Sequence, residues 1–180
     1  IFWGTVIAFD KTKFGDNPPK TAADFFDTAK FPGKRGLPKN PKRTLYLALI
    51  ADGVAPDKIY DELGTPEGVD RAFKKLDTIK KDVVWWEAGA QPVQLLADGE
   101  VTMATGYNGR FFDAMVGEGK PFEIIWDGQY MDLDMFAIPK GSPNPEAAMQ
   151  YLKFATDTQR LADQAKYIAY GPSRKSSAKL

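Results

Sequence analysis

Two short stretches of this chain carry side chains able to do chemistry. Asp132 and Asp134, two residues apart, fall on the same side of an extended strand, so their carboxylates form a pair. A glycosidase could use such a pair as acid and base. The more common use of two acids on one strand face is contact with solvent or with a ligand amine, and that is the use expected here. The second stretch, Gly106-Tyr107-Asn108-Gly109, closes the apolar run from Val101 to Gly106 and opens a helix. A strand ending in this way sets an aromatic ring and free backbone N–H groups at a crevice, where open α/β sheets bind ligands. The expected chemistry is capture rather than reaction.

Composition removes several alternatives. The 180 residues include no cysteine and no histidine, which takes away disulfides, thiolate zinc sites, thiol catalysis and the commonest general base. There is no Gly-x-Ser-x-Gly elbow and no glycine-rich phosphate loop, so no enzyme and no cofactor are expected. Asp132, Asp134 and Glu87 are the candidates for a hard-cation site, but acids at EF-hand spacing are lacking and no metal is expected. The 24 basic residues balance 24 acidic ones, which argues against a nucleic-acid partner. No run of 18 apolar residues marks a membrane span. The chain opens on Ile1-Phe2-Trp3-Gly4-Thr5, without an initiating methionine, and reads as part of a longer or processed polypeptide.

The elements that must position these residues alternate. Ile1 to Phe9 reads as a strand. Asn40-Pro41 is a cap-and-proline helix start, stopped by Gly53, and Thr65-Pro66-Glu67 opens a second helix with helical spacing from Val69 to Ile79. Asp82 to Trp86 reads as a strand, Gln91 onward as a helix, Val101 to Gly106 as a strand and Arg110 to Val116 as a helix. Phe122 to Trp126 and Leu133 to Ile138 read as two further strands. Asn144-Pro145-Glu146 starts another helix, and a last one runs from about Asp157 to Ala165. Phe31 to Gly36 has turn chemistry and a basic bias, and is expected to be a solvated loop. The alternation predicts an α/β fold, a mixed sheet with helices on both faces.

Five ordered stretches resemble a known family: Trp3-Gly4-Thr5, Asp98-Gly99-Glu100-Val101, Tyr107-Asn108-Gly109, Asp134 to Pro139 as Asp-x-x-Ala-Ile-Pro, and Ile168-Ala169-Tyr170-Gly171-Pro172. Together they are similar to the C-terminal lobe of bacterial extracellular solute-binding proteins of ABC importers, of the spermidine/putrescine type. The resemblance implies one lobe, residues 1–180, of a two-lobed periplasmic binding protein of the type II class, with residues 1–8 and 166–180 as hinge or crossing segments toward a missing N-terminal lobe. It also implies a periplasmic location, a membrane ABC permease as partner and a small amine-bearing solute such as putrescine or spermidine. Tyr107 then corresponds to an aromatic packed on the solute, Asp134 to the carboxylate that pairs its amine, and Tyr170 to an aromatic near the hinge.

Departures from that pattern shift the expected solute. Where polyamine receptors carry acids at a helix start, this chain has Asn40 and Arg43, and where they carry a tryptophan before the key aspartate it has Asp132. Arg43 in a first helical turn suits an anion. Asp132 and Asp134 against Arg43 therefore suggest an alternative solute with both amine and acid, a zwitterionic amino-acid conjugate or opine-like molecule. Glu87 to Gln91, between strand and helix, is expected to bring backbone donors or the Gln91 amide to the rim, with Trp85 or Trp86 as a wall.

Overall fold

The computed structural model describes residues 1–180. The chain divides into two compact units, Gly4–Tyr130 on the one hand and Ile1–Trp3 with Met131–Leu180 on the other. Its boundaries fall inside two strands, β1 (Phe2–Asp10) and β5 (Phe122–Leu133).

In the larger unit a five-stranded mixed sheet is ordered β3-β2-β4-β1-β5, with β2 (Arg35–Pro38), β3 (Val83–Trp86) and β4 (Met103–Tyr107) in between and at one edge. β2 runs parallel to both β3 and β4, whereas β1 is antiparallel to β4, with Thr5 opposite Tyr107. The period of two divides β1 between two cores. Ile7 and Phe9 face helices α1 (Ala22–Phe26), α2 (Pro41–Ala51), α3 (Ile59–Leu63) and α4 (Pro66–Asp77). Val6 and Ala8 face α5 (Gln91–Ala97) and α6 (Asn108–Val116). Helices on both faces of a mixed sheet are the expected architecture.

Two of the three helix starts marked by a cap residue and proline are capped by a side chain, while Asn144 before Pro145 makes no such bond. Asn40 accepts the Lys42 N–H and Pro41 takes the first position of α2, and Thr65 accepts the Gly68 N–H at the start of α4. The smaller unit holds α7 (Pro145–Ala155) and α8 (Thr158–Gln164), and Phe2 bridges Gly171 by two backbone hydrogen bonds of 3.0 and 2.8 Å.

Two expectations are corrected. Residues 122–126 and 133–138 are not separate strands: one strand runs through to Leu133, and residues 134–139 that follow it have no regular structure. Gly128, at φ +71° inside β5, is the reason the pattern looks broken, because that backbone geometry favours glycine and a Cβ there would meet that of Ala22 at 2.8 Å.

The second correction concerns the expected solvated loop, which ends in β2. Arg35 is 0% exposed. Its guanidinium donates to the carbonyls of Phe25 (2.7 Å), Gly33 (2.6 Å) and Phe31, and to Thr102 Oγ1 at 3.3 Å. Burial pushes its pKa down to about 10, against the pull of Asp82 and Asp27, so it remains a cation at neutral pH.

An Arg35→Met substitution keeps most of the volume but strands these carbonyls in the interior. The expected cost is at least about 3 kcal/mol, read as a fall in the urea midpoint with an unchanged denaturant slope.

Candidate functional site

β2, β3 and β4 point their carboxyl ends in one direction, and the cavity lies there. It encloses ≈ 420 Å³ between Pro38 and Lys39 after β2, Asn40 and Arg43 of the α2 start, Trp86 and Glu87 at the end of β3, and Tyr107 at the end of β4. Parallel strands bring this about by ending at a common edge, each followed by a turn into a helix. The Lys39 N–H donates to the Trp86 carbonyl at 2.8 Å and holds the first two of these ends together.

Aromatic rings and a guanidinium form the floor. Tyr107 and Trp86 meet edge to face, with centroids 6.1 Å apart, and the Arg43 guanidinium carbon lies 5.4 Å from the Tyr107 ring centroid. Arg43 also reaches the Tyr107 hydroxyl at 3.5 Å. Trp86 is buried, and its indole N–H has no acceptor within the protein. At the rim, Lys39 and Glu87 pair at 3.3 Å with both side chains largely in water, where an ion pair contributes little.

The turn from β3 to α5 is set by Gln91. Its side-chain carbonyl accepts the N–H groups of Glu87 at 2.8 Å and Ala88 at 2.7 Å. These donors therefore serve the turn. Gly89 lies against Tyr107, and a Cβ there would come within 2.5 Å of the ring. On the other side of Tyr107, the buried Asn108 accepts the Gly4 N–H at 2.9 Å and fixes the start of α6 against β1.

Of the residues singled out in this unit, the structure brings Asn40, Arg43, Glu87 and Tyr107 to one cavity, while Gln91 supports its wall. The period of two decides between the tryptophans: Trp86 lines the cavity and Trp85 lies in an apolar groove with Leu45, Phe73 and Leu76. Lys39 and Pro38 were not anticipated, although their place directly before Asn40-Pro41 was a usable signal.

Asp132, Asp134 and Tyr170 belong to the smaller unit. Asp134 accepts the Trp3 indole N–H at 3.0 Å, and its backbone N–H donates to the Ile1 carbonyl at 2.9 Å. Asp132 accepts the neighbouring Leu133 N–H at 3.0 Å. Tyr170 is half-buried beside the Phe2–Gly171 bridge. No group of three or more carboxylates is placed to hold a metal ion.

Comparison with known proteins gives a consistent picture. Residues 3–180 match the family model described as bacterial extracellular solute-binding protein. The chain is 46% identical to the gamma-aminobutyric acid-binding protein of Pseudomonas aeruginosa over 178 residues, which are 99% of this chain and 50% of that protein. It superimposes on the crystal structure of the periplasmic binding protein MotA from A. tumefaciens B6, in complex with glucopine, with a TM-score of 0.90 and 37% identity, covering 99% of this chain and 55% of that one. The norspermidine sensor of Vibrio cholerae is a more distant match, 30% identical over 99% of this chain and 50% of its own length. The chain thus spans about half the length of the relatives it matches. No helix is long and apolar enough to cross a membrane.

Replacing Gly89 by alanine forces the Tyr107 ring off its present position. The expected result is a changed near-ultraviolet circular dichroism from the Trp86–Tyr107 pair with an unchanged far-ultraviolet spectrum. An unaltered near-ultraviolet signal contradicts the packing described.

Proposed function

The chain belongs to the bacterial extracellular solute-binding protein family, and from that premise we propose that it forms one half of the receptor of an ABC importer, contributing one wall of the solute site. The fold is that of one lobe of a two-lobed binding protein. Its homologues bind solutes and are not enzymes, so the hydrolase reading of Asp132 and Asp134 is set aside. A permease is the implied partner, and the extracellular or periplasmic side of the membrane the implied location.

We further propose that the solute is a zwitterion, an amino acid of the gamma-aminobutyric acid kind or an opine-like conjugate. Arg43 carries this reading. It sits in the first turn of α2, over the Tyr107 ring and at the wall of the cavity. The guanidinium and the positive end of the helix favour a carboxylate. A diamine brought to the same place meets like charge from Arg43. The solute's ammonium group is assigned to the aromatic faces of Tyr107 and Trp86 and to the carboxylate of Glu87 in the same cavity.

The names of the relatives point the same way. The protein that shares 46% of its residues with this chain is named for gamma-aminobutyric acid, and MotA holds glucopine, whereas the norspermidine sensor shares 30%. The polyamine expectation, which rested on general class, gives way to the zwitterion.

Calorimetric titration of the full-length parent protein with gamma-aminobutyric acid, glucopine, putrescine and spermidine tests the proposal. One of the two zwitterions is expected to bind, and Arg43→Ala to weaken it by at least about tenfold, the loss of one charge-assisted hydrogen bond. Putrescine or spermidine binding that survives Arg43→Ala, with both zwitterions silent, overturns it.

A further inference from the structure

The rim of the cavity carries its charges as a pair. β2 and β3 run in parallel with Pro38 opposite Trp86, and the Lys39 N–H donates to the Trp86 carbonyl at 2.8 Å. The next residue of each chain segment, Lys39 and Glu87, therefore leaves the sheet beside the other. Their side chains meet at 3.3 Å, and both line the cavity together with Arg43. Glu87 is the only carboxylate among the lining residues, against the two cations Lys39 and Arg43. The Lys39 and Glu87 side chains are 70% and 74% exposed. A pair so open to water is weak and exchanges partners readily. Glu87 is thus within reach of a solute ammonium, but Lys39 already holds it.

We propose that Lys39 is a specificity-determining residue of this site, holding Glu87 in an ion pair that a zwitterion replaces without loss and a diamine does not. The proposal rests on the zwitterion reading given above and adds the residue that enforces it. A solute ammonium that reaches Glu87 crowds the Lys39 ammonium, and two like charges on one carboxylate repel. When the solute also carries a carboxylate, the displaced Lys39 shares that group with Arg43. One ion pair is broken and two are formed, with the charges of the solute opposed to those of the Lys39–Glu87 pair. A diamine breaks the same pair and offers Lys39 nothing in return, while its second ammonium meets the Arg43 guanidinium. One pair then replaces one, and a cation is left without a counter-charge. Lys39 in this way discriminates by penalising the competitor rather than by adding attraction for the ligand.

Calorimetric titration of the full-length parent protein at low salt, with gamma-aminobutyric acid, glucopine and putrescine, tests the proposal on Lys39→Gln, Glu87→Gln and the double variant. With Glu87 in place, Lys39→Gln is expected to change the affinity for the bound zwitterion by less than about twofold, because the pair lost to the solute is matched by the pair no longer broken. In the Glu87→Gln background the same substitution is expected to weaken the zwitterion about threefold, since Lys39 then acts on the solute alone. Putrescine is expected to gain at least about threefold from Lys39→Gln when Glu87 is present. Equal effects of Lys39→Gln on a bound zwitterion in the two backgrounds, or no gain for putrescine, overturn the assignment of Lys39 and leave the zwitterion reading standing. A parent protein that binds neither zwitterion overturns that reading, and the role of Lys39 with it.

Discussion

The structure of residues 4–130 depends on one buried cation. β2 is only four residues long, yet it lies between β3 and β4 and is the strand that makes the parallel part of the sheet. The chain that leads into it, from Phe25 to Gly33, turns its carbonyls inward. Left alone, those oxygens would make the interior unfavourable for the strand. Arg35 collects them with a planar fork of donors and stacks on the Phe25 ring at 5.7 Å. Taking a guanidinium out of water is costly, and the lowered proton affinity of Arg35 is a measure of that cost. Dense hydrogen bonding offsets it and leaves a strand that has no freedom to slip.

From that fixed strand the site follows. Pro38 ends β2 beside Trp86 at the end of β3, and the next turn starts α2, so Arg43 comes to lie over Tyr107. None of these contacts is strong by itself. A half-buried guanidinium on an aromatic face contributes on the order of 1 kcal/mol, and the Lys39–Glu87 pair less. What makes the site is convergence of weak groups on a common edge, each held by an element whose own stability lies elsewhere.

Much of this was legible in the sequence, and the parts that were not have physical reasons. Asn40-Pro41 and Thr65-Pro66 act locally, through a side chain and a ring that satisfy the first turn of a helix, so their effect does not depend on the rest of the fold. Tyr107 was legible because a strand that ends in Gly-Tyr-Asn-Gly has few places to put its ring. Arg35 was not. A charged residue between glycines and prolines is a solvated turn unless distant carbonyls need it, and the need of Phe25 and Phe31 is not written at position 35. The opposite case is β5, read as two strands: Gly128 between them is a bend that one continuous strand tolerates. Gln91 was recognised as part of the rim, but only coordinates reveal that its carbonyl is committed to Glu87 and Ala88.

That commitment has a thermodynamic consequence. A wall built from a free five-residue turn would have to be ordered by each arriving molecule, and the lost chain entropy would be subtracted from the affinity. With Gln91 already holding the turn and Gly89 already seated on the ring, that ordering belongs to the folding of the protein. Under the proposed function, binding a solute then loses less chain entropy.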